Sequence, residues 1–224
     1  GGNSWWSVNF GDPTKYGENT GLFINPYDYD YKNNIIYASH EPGQYLRCEN
    51  PITSLTYNAI SIPAMGTDMV ASVKVSDDAA TPNLVYLGTT GGKIIRVTNA
   101  NTNTPTATNI TDAAMPVGAF PSCINTGWDD SRNLIVSYSN YAVNSIWVRN
   151  TNGAWTSIEG NLPDMPIWSC MFFPGDDTRA IIATETGLFE SSVFNGNATV
   201  WTRVNTIPFT RVYMIKYNRY TGVL

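Results

Sequence analysis

The chain has 224 residues and a formal net charge of −5, with its 13 basic residues scattered along it. No cluster of Lys and Arg is present to displace counterions from phosphate, which excludes a nucleic-acid surface and makes anionic membranes poor partners. Charged residues make up 14% of the chain, against roughly 25% in ordinary soluble domains. Polarity comes instead from Asn, Thr, Ser, Gly and Tyr, a mixture that suits strands and tight turns. The longest apolar stretches have strand length and no helical apolar period is sustained, so no membrane insertion is expected.

Taken in chain order, the elements repeat. Residues 1–12 hold WWSVNFGD, a strand phrase of a kind that returns later. From Gly21 the chain reads GLFINP, NNIIYAS, YLRC and SLTYNAISIP, closing at Pro63. Residues 68–116 repeat the succession as VASVKVS, NLVYLG, KIIRV and TATNITDAAMP. Residues 120–163 give SCINTGW, NLIVSY, IWVR and AWTSIEGNLP, and residues 167–208 give SCMFFPG, RAIIAT, GLFESS and VWTRVNTIP. A further unit opens with RVYMIKYN within residues 211–224.

A period of roughly 44–50 residues is that of four-stranded propeller blades. The expected fold is therefore an all-β β-propeller with about four complete blades and partial flanking ones. The strands of each blade are lettered A to D from the axis outward. The phrase in residues 1–12 then reads as strand D of a preceding blade. A ring closes only when its first and last blades pair, and an open arc exposes strand edges. The half-blades point to a segment of a larger propeller, with the rest of the parent polypeptide completing it.

These phrases resemble the BNR or Asp-box propellers, the group that holds sialidases, sortilin-type ectodomains and two-propeller xyloglucanases. The strongest matches are YLGTTGGKIIRV and IIATETGLFESS, followed by a Trp-Thr strand. That family's Asp box, Ser-x-Asp-x-Gly-x-Thr-Trp, lies in the C–D turn. The corresponding turns here, RNTNGAWT and FNGNATVWT, keep Trp155 and Trp201 but not the Asp. The Asn- and Thr-rich style resembles large secreted Bacteroidetes proteins, which implies a secreted or cell-surface location.

In such propellers the resemblance places ligands on the face built from B–C and D–A loops. Those loops supply Asp68, Asp164, Trp168, Glu185, Arg211, Tyr213, His40, Glu41 and Tyr141 as ligand-binding candidates, together with Tyr138 and Asn140. Aromatic platforms, carboxylates and one Arg suit a glycan or a protein ligand. Asp68, Asp164 and Glu185 are the carboxylates from which a hydrolase would draw an acid–base pair. A sialidase would need an arginine triad, yet Arg47, Arg96 and Arg149 belong to C strands.

Several conspicuous residues read as structural. The pairs Asp28/Asp30, Asp77/Asp78, Asp129/Asp130 and Asp176/Asp177 recur at the A–B turn of every blade, where Asp hydrogen-bonds its own backbone. Gly91 and Gly92 make a tight B–C turn. Trp155 and Trp201 fit packing between blades. Cys48, Cys123 and Cys170 are odd in number and irregular in spacing, which gives no disulfide framework, and Cys123 and Cys170 read as buried small residues. His40 has no companions for a metal site, and no cofactor is expected. The expected function is a non-catalytic module binding glycan or protein. A xyloglucanase-like hydrolase and a structural repeat of a large adhesin or secretion-system cargo are the alternatives.

Overall fold

The structure, a computed structural model, describes residues 21–51, 53–76, 78, 80–218 and 221–223. The strand expected in residues 1–12, and Asp77, lie outside them. Among the described residues, sixteen strands form four separate antiparallel sheets, each running in chain order from one edge to the other. The first holds β1 (Tyr27–Asp30), β2 (Ile35–Ser39), β3 (Gln44–Glu49) and β4 (Thr56–Ser61). The second holds β5 (Val70–Val75), β6 (Val85–Thr89), β7 (Ile94–Thr98) and β8 (Thr106–Asn109). The third holds β9 (Pro121–Thr126), β10 (Leu134–Tyr138), β11 (Ile146–Arg149) and β12 (Trp155–Ser157). The fourth holds β13 (Ile167–Phe173), β14 (Asp176–Thr184), β15 (Gly187–Ser191) and β16 (Trp201–Arg203). The first strands pack in succession, β1 on β5, β5 on β9 and β9 on β13, as the innermost strands of propeller blades do.

The core lies between the blades. Successive side chains of a strand point to opposite faces, so each inner strand feeds two interfaces. On β6, Val85 and Leu87 enter the cluster with blade one, while Tyr86 and the preceding Leu84 enter the cluster with blade three. On β10, Val136 and Tyr138 turn to blade two and Ile135 turns to blade four. Burial on both faces is why the B strands read as continuous apolar runs rather than alternating ones.

Polar bolts cross the same interfaces. The Tyr45 hydroxyl donates to the Ala100 carbonyl at 2.8 Å and the Tyr86 hydroxyl to the Ser131 carbonyl at 2.9 Å. Each outer-strand indole reaches back one blade: Trp155 Nε1 donates to Ile110 at 2.6 Å and Trp201 Nε1 to Ile158 at 2.8 Å.

At the A–B end, Asp30, Asp78, Asp130 and Asp176 each accept a backbone N–H two residues on, at 2.7–3.0 Å. Their companions act differently. Asp28 accepts the Val75 N–H of blade two at 2.8 Å, and Asp177 accepts the Trp128 N–H of blade three at 2.8 Å. Carboxylates at this end therefore join blades as well as close turns.

One strand assignment needs correcting. Strand A of blade one is Tyr27–Asp30, not GLFINP. Phe23 and Ile24 are exposed, and Asp28 lies within the strand, where it pairs across to Tyr37. Beyond blade four, residues 209–217 form no ladder but run beside β13. There the Ile215 N–H donates to Ser169 Oγ at 3.2 Å, and the Tyr217 ring meets Trp128 edge-on at 5.3 Å.

Candidate functional site

At the loop face, where strand A begins and strand B ends, three blades share one irregularity. Val70 pairs with Thr89 and Ser72 with Gly88, which leaves Ala71 out of the ladder. Pro121 pairs with Tyr138 and Cys123 with Ser137, leaving out Ser122. Ile167 pairs with Thr184 and Ser169 with Ala183, leaving out Trp168. A bulge frees its extra residue from the pleat and re-aims the side chain. Blade four is the one that mounts an indole there.

Around Trp168 the structure gathers three of the expected residues. Arg211 Nε donates to Glu185 Oε2 at 2.5 Å, and Arg211 Nη1 donates to the Tyr213 hydroxyl at 2.8 Å. The Tyr213 ring lies 5.4 Å from the Trp168 ring, tilted by 54°. The guanidinium carbon of Arg211 is 6.0 Å from the Trp168 centroid, within cation–π reach. The hydrogen bonds to Tyr213 and then to Glu185 favour the charged guanidinium and raise its pKa. The backbone supports the cluster, because the Val212 N–H donates to the Thr184 carbonyl at 3.0 Å. Trp168 Nε1 is buried and has no hydrogen-bond partner among the described residues. A buried donor without an acceptor calls for an explanation, since most such groups are paired.

The other candidates are dispersed. Asp68 lies between blades one and two, where it accepts from Thr89 Oγ1 at 3.0 Å and pairs with Lys93 Nζ at 3.0 Å. Asp164 accepts the Ala142 N–H at 2.7 Å, next to the exposed Tyr141. Asp68, Asp164 and Glu185 thus each have a separate partner and form no pair with one another. Glu41 is exposed, whereas His40 is 3% exposed, and burial lowers its pKa. Its ring is not offered to a ligand at the surface. Tyr138 is fully buried and donates to the Gly92 carbonyl, and Asn140 Oδ1 accepts the Phe120 N–H at 2.6 Å, so both are spent on the scaffold. Among the described residues no group of three or more His, Cys, Asp or Glu is placed to hold a metal ion, and no helix is long and apolar enough to cross a membrane.

Sequence reasoning missed Glu159. It lines an open depression of about 380 Å³ with Asp164, Ala142, Val143, Asn144 and Leu162. Its Oε2 accepts the Ser145 N–H at 2.6 Å and the Ile146 N–H at 3.2 Å. Burial nevertheless raises the carboxyl from 4.5 to about 7, with the Asp164 charge adding to the rise. The available signal was positional: four residues after the repeated Trp, blade three has Glu159 where blade four has Asn205. Folding raises this pKa, so the stability it lends is present below about 4.5 and lost as pH climbs through about 7. Glu159→Gln keeps an acceptor for both N–H groups but cannot ionise. Urea midpoints measured across that window should fall less for the variant than for the parent chain. Equal slopes would mean that Glu159 titrates as a solvated carboxyl.

No family model and no curated protein matches the chain. Solved structures do. The GH74 xyloglucanase from Xanthomonas campestris aligns with a TM-score of 0.57 at 13% identity, over 83% of this chain and 30% of that one. The outer coat vertex of COPII on membranes aligns at 0.56 and 14%, over 84% and 48%. Raptor from Chaetomium thermophilum aligns at 0.53 and 10%, over 90% and 17%. The chain thus spans less than half the length of each of these proteins. At such identities the likeness speaks of fold alone, and the fold is that of four consecutive β-propeller blades.

Proposed function

We propose that these blades are a non-catalytic module of an exported or cell-surface protein, completed by further blades of the parent polypeptide, which grips a glycan or protein ligand beside Trp168. The observation that carries this reading is the bulge-mounted indole, whose N–H has no partner among the described residues, next to the Arg211–Glu185 pair and Tyr213. Tilted aromatic rings offer apolar faces to the C–H side of a sugar or to an apolar side chain. The ion pair beside them exchanges hydrogen bonds with hydroxyls or amides. Fold does not choose the ligand, because propellers serve both enzymes and assemblies.

A second reading, a polysaccharide hydrolase, is favoured by Glu159. A carboxyl raised to about 7 by burial, with the Asp164 side chain beside it, has the character of a general acid.

One assay separates the two. The full-length protein is incubated with plant and bacterial polysaccharides, and both retention and new reducing ends are measured. Retention without cleavage, weakened at least about tenfold by Trp168→Ala and by Arg211→Ala, is the expected result. Undiminished retention in both variants would reject the site. New reducing ends that vanish in Glu159→Gln would establish the hydrolase instead. Neither signal would leave a protein ligand or the structural-repeat role.

A further inference from the structure

Two thiols between blades three and four take no part in the loop-face site. Cys123 lies on β9 and Cys170 on β13, the innermost strands of neighbouring blades, and the alternation of each strand turns both into one inter-blade cluster. Their contacts are reciprocal. Cys123 Sγ lies 3.4 Å from the Cys170 carbonyl oxygen, and Cys170 Sγ lies 3.8 Å from the Cys123 carbonyl oxygen. Each sulfur therefore sits against the other residue's backbone, so the two side chains share one place between the blades. Ser169 Oγ, 3.9 Å from Cys123 Sγ, adds a further donor to the pair. The two differ in access: Cys170 is 1% exposed, while Cys123 is only partly buried. The hydrogen bond from Cys170 lowers the Cys123 thiol, and burial raises that of Cys170. Cys123 is thus the sulfur that a solvent-borne reagent meets first, and Cys170 is the concealed one.

We propose that Cys123 and Cys170 are a redox-responsive dithiol that closes to a disulfide stitching blade three to blade four. The oxidant is a small-molecule disulfide such as oxidised glutathione. The Cys123 thiolate attacks one of its sulfurs, forming a mixed disulfide and expelling one thiolate. Cys170 then gives its proton to solvent and attacks Cys123 Sγ, which expels the second thiolate. Two protein thiols are oxidised and one small disulfide is reduced to two thiols. Cys48 stays out of this exchange. It is fully buried in a separate cluster on blade one, where burial pushes its thiol up to about 12. The closed bond would join residues 47 positions apart and so link the innermost strands of these two blades covalently.

The full chain, incubated with oxidised glutathione near neutral pH and alkylated, should lose two hydrogen atoms by intact mass. After digestion it should yield one crosslinked peptide pair carrying Cys123 and Cys170. Its apparent melting temperature should rise by about 5–10 °C over the reduced form. Cys123→Ala and Cys170→Ala should each abolish the crosslink and the redox-dependent rise, while Cys48→Ala keeps both. The decisive comparison is made within the parent chain, oxidised against reduced, so a variant that folds poorly does not obscure it. A persistent glutathione adduct on Cys123, or quantitative alkylation of both thiols after exposure to the oxidant, would overturn the proposal.

Discussion

Trp201→Ala is expected to lower the free energy of unfolding by about 3–5 kcal/mol, the range for deleting a buried Trp side chain. The indole is 3% exposed although it belongs to the outermost strand of its blade. It fills the cluster between blades three and four, and its N–H holds the Ile158 carbonyl. The backbone of the same residue exchanges two bonds with Asn161, which donates to the Trp201 carbonyl at 3.0 Å and accepts the Trp201 N–H at 2.6 Å. Truncation would open a cavity and strand a buried carbonyl. Trp201→Phe separates the two effects, because it keeps most of the ring and loses only the donor, at about 1–2 kcal/mol. Trp155 makes the matching bond to Ile110 but is only half-buried, so Trp155→Ala should cost clearly less. Urea midpoints of the three variants test the ordering. Equal losses at Trp155 and Trp201 would show that burial is not what gives the outer indole its weight.

Gly160→Ala should be comparably damaging, by about 3–4 kcal/mol, although it adds a single methyl group. Gly160 has φ +56, and an added Cβ would overlap the Thr199 carbonyl oxygen and carbon of the next blade. That obstacle is backbone, fixed between β15 and β16 by its own turn, where the Thr199 N–H donates to Gly196 at 3.0 Å. It has no side-chain torsion through which to swing aside. Gly175→Ala is the control, since Gly175 has a similar φ of +76 but open space around it. Only the left-handed backbone penalty of roughly 1 kcal/mol should appear there. If the two substitutions proved equally mild in denaturant, blades three and four would not approach one another so closely at this point.

The repeat was legible because the B strands are buried on both faces, so NLVYLG, NLIVSY and RAIIAT stand out from everything around them. Strand A of blade one was not. Leu22, Phe23 and Ile24 look like a strand, whereas YDYD places exposed rings on one face and carboxylates on the other. Tyr27 and Tyr29 are 66% and 42% exposed, while Asp28 and Asp30 serve the neighbouring blade and the turn. Hydrophobicity is a weak guide to a strand held by backbone pairing and an inter-blade carboxylate. At the loop face, naming Trp168, Glu185, Arg211 and Tyr213 needed only the repeat register. Their convergence depends on residues 209–217 lying along β13, a long-range placement that no local pattern contains. The desolvation of Glu159 was equally hidden, because it depends on the loop of residues 142–146 folding over the carboxyl.

The shared bulge has an evolutionary consequence. A residue outside the ladder can change size and chemistry without disturbing the hydrogen bonds that define its blade. Ala71, Ser122 and Trp168 already sample a methyl, a hydroxyl and an indole at that place. Of the three, Ala71 is buried and Ser122 donates to the Ile167 carbonyl of blade four, which leaves Trp168 as the position where the bulge serves something other than the scaffold. A lineage built on this scaffold can rewrite the contact at position 168 while leaving the ladder beneath it in register.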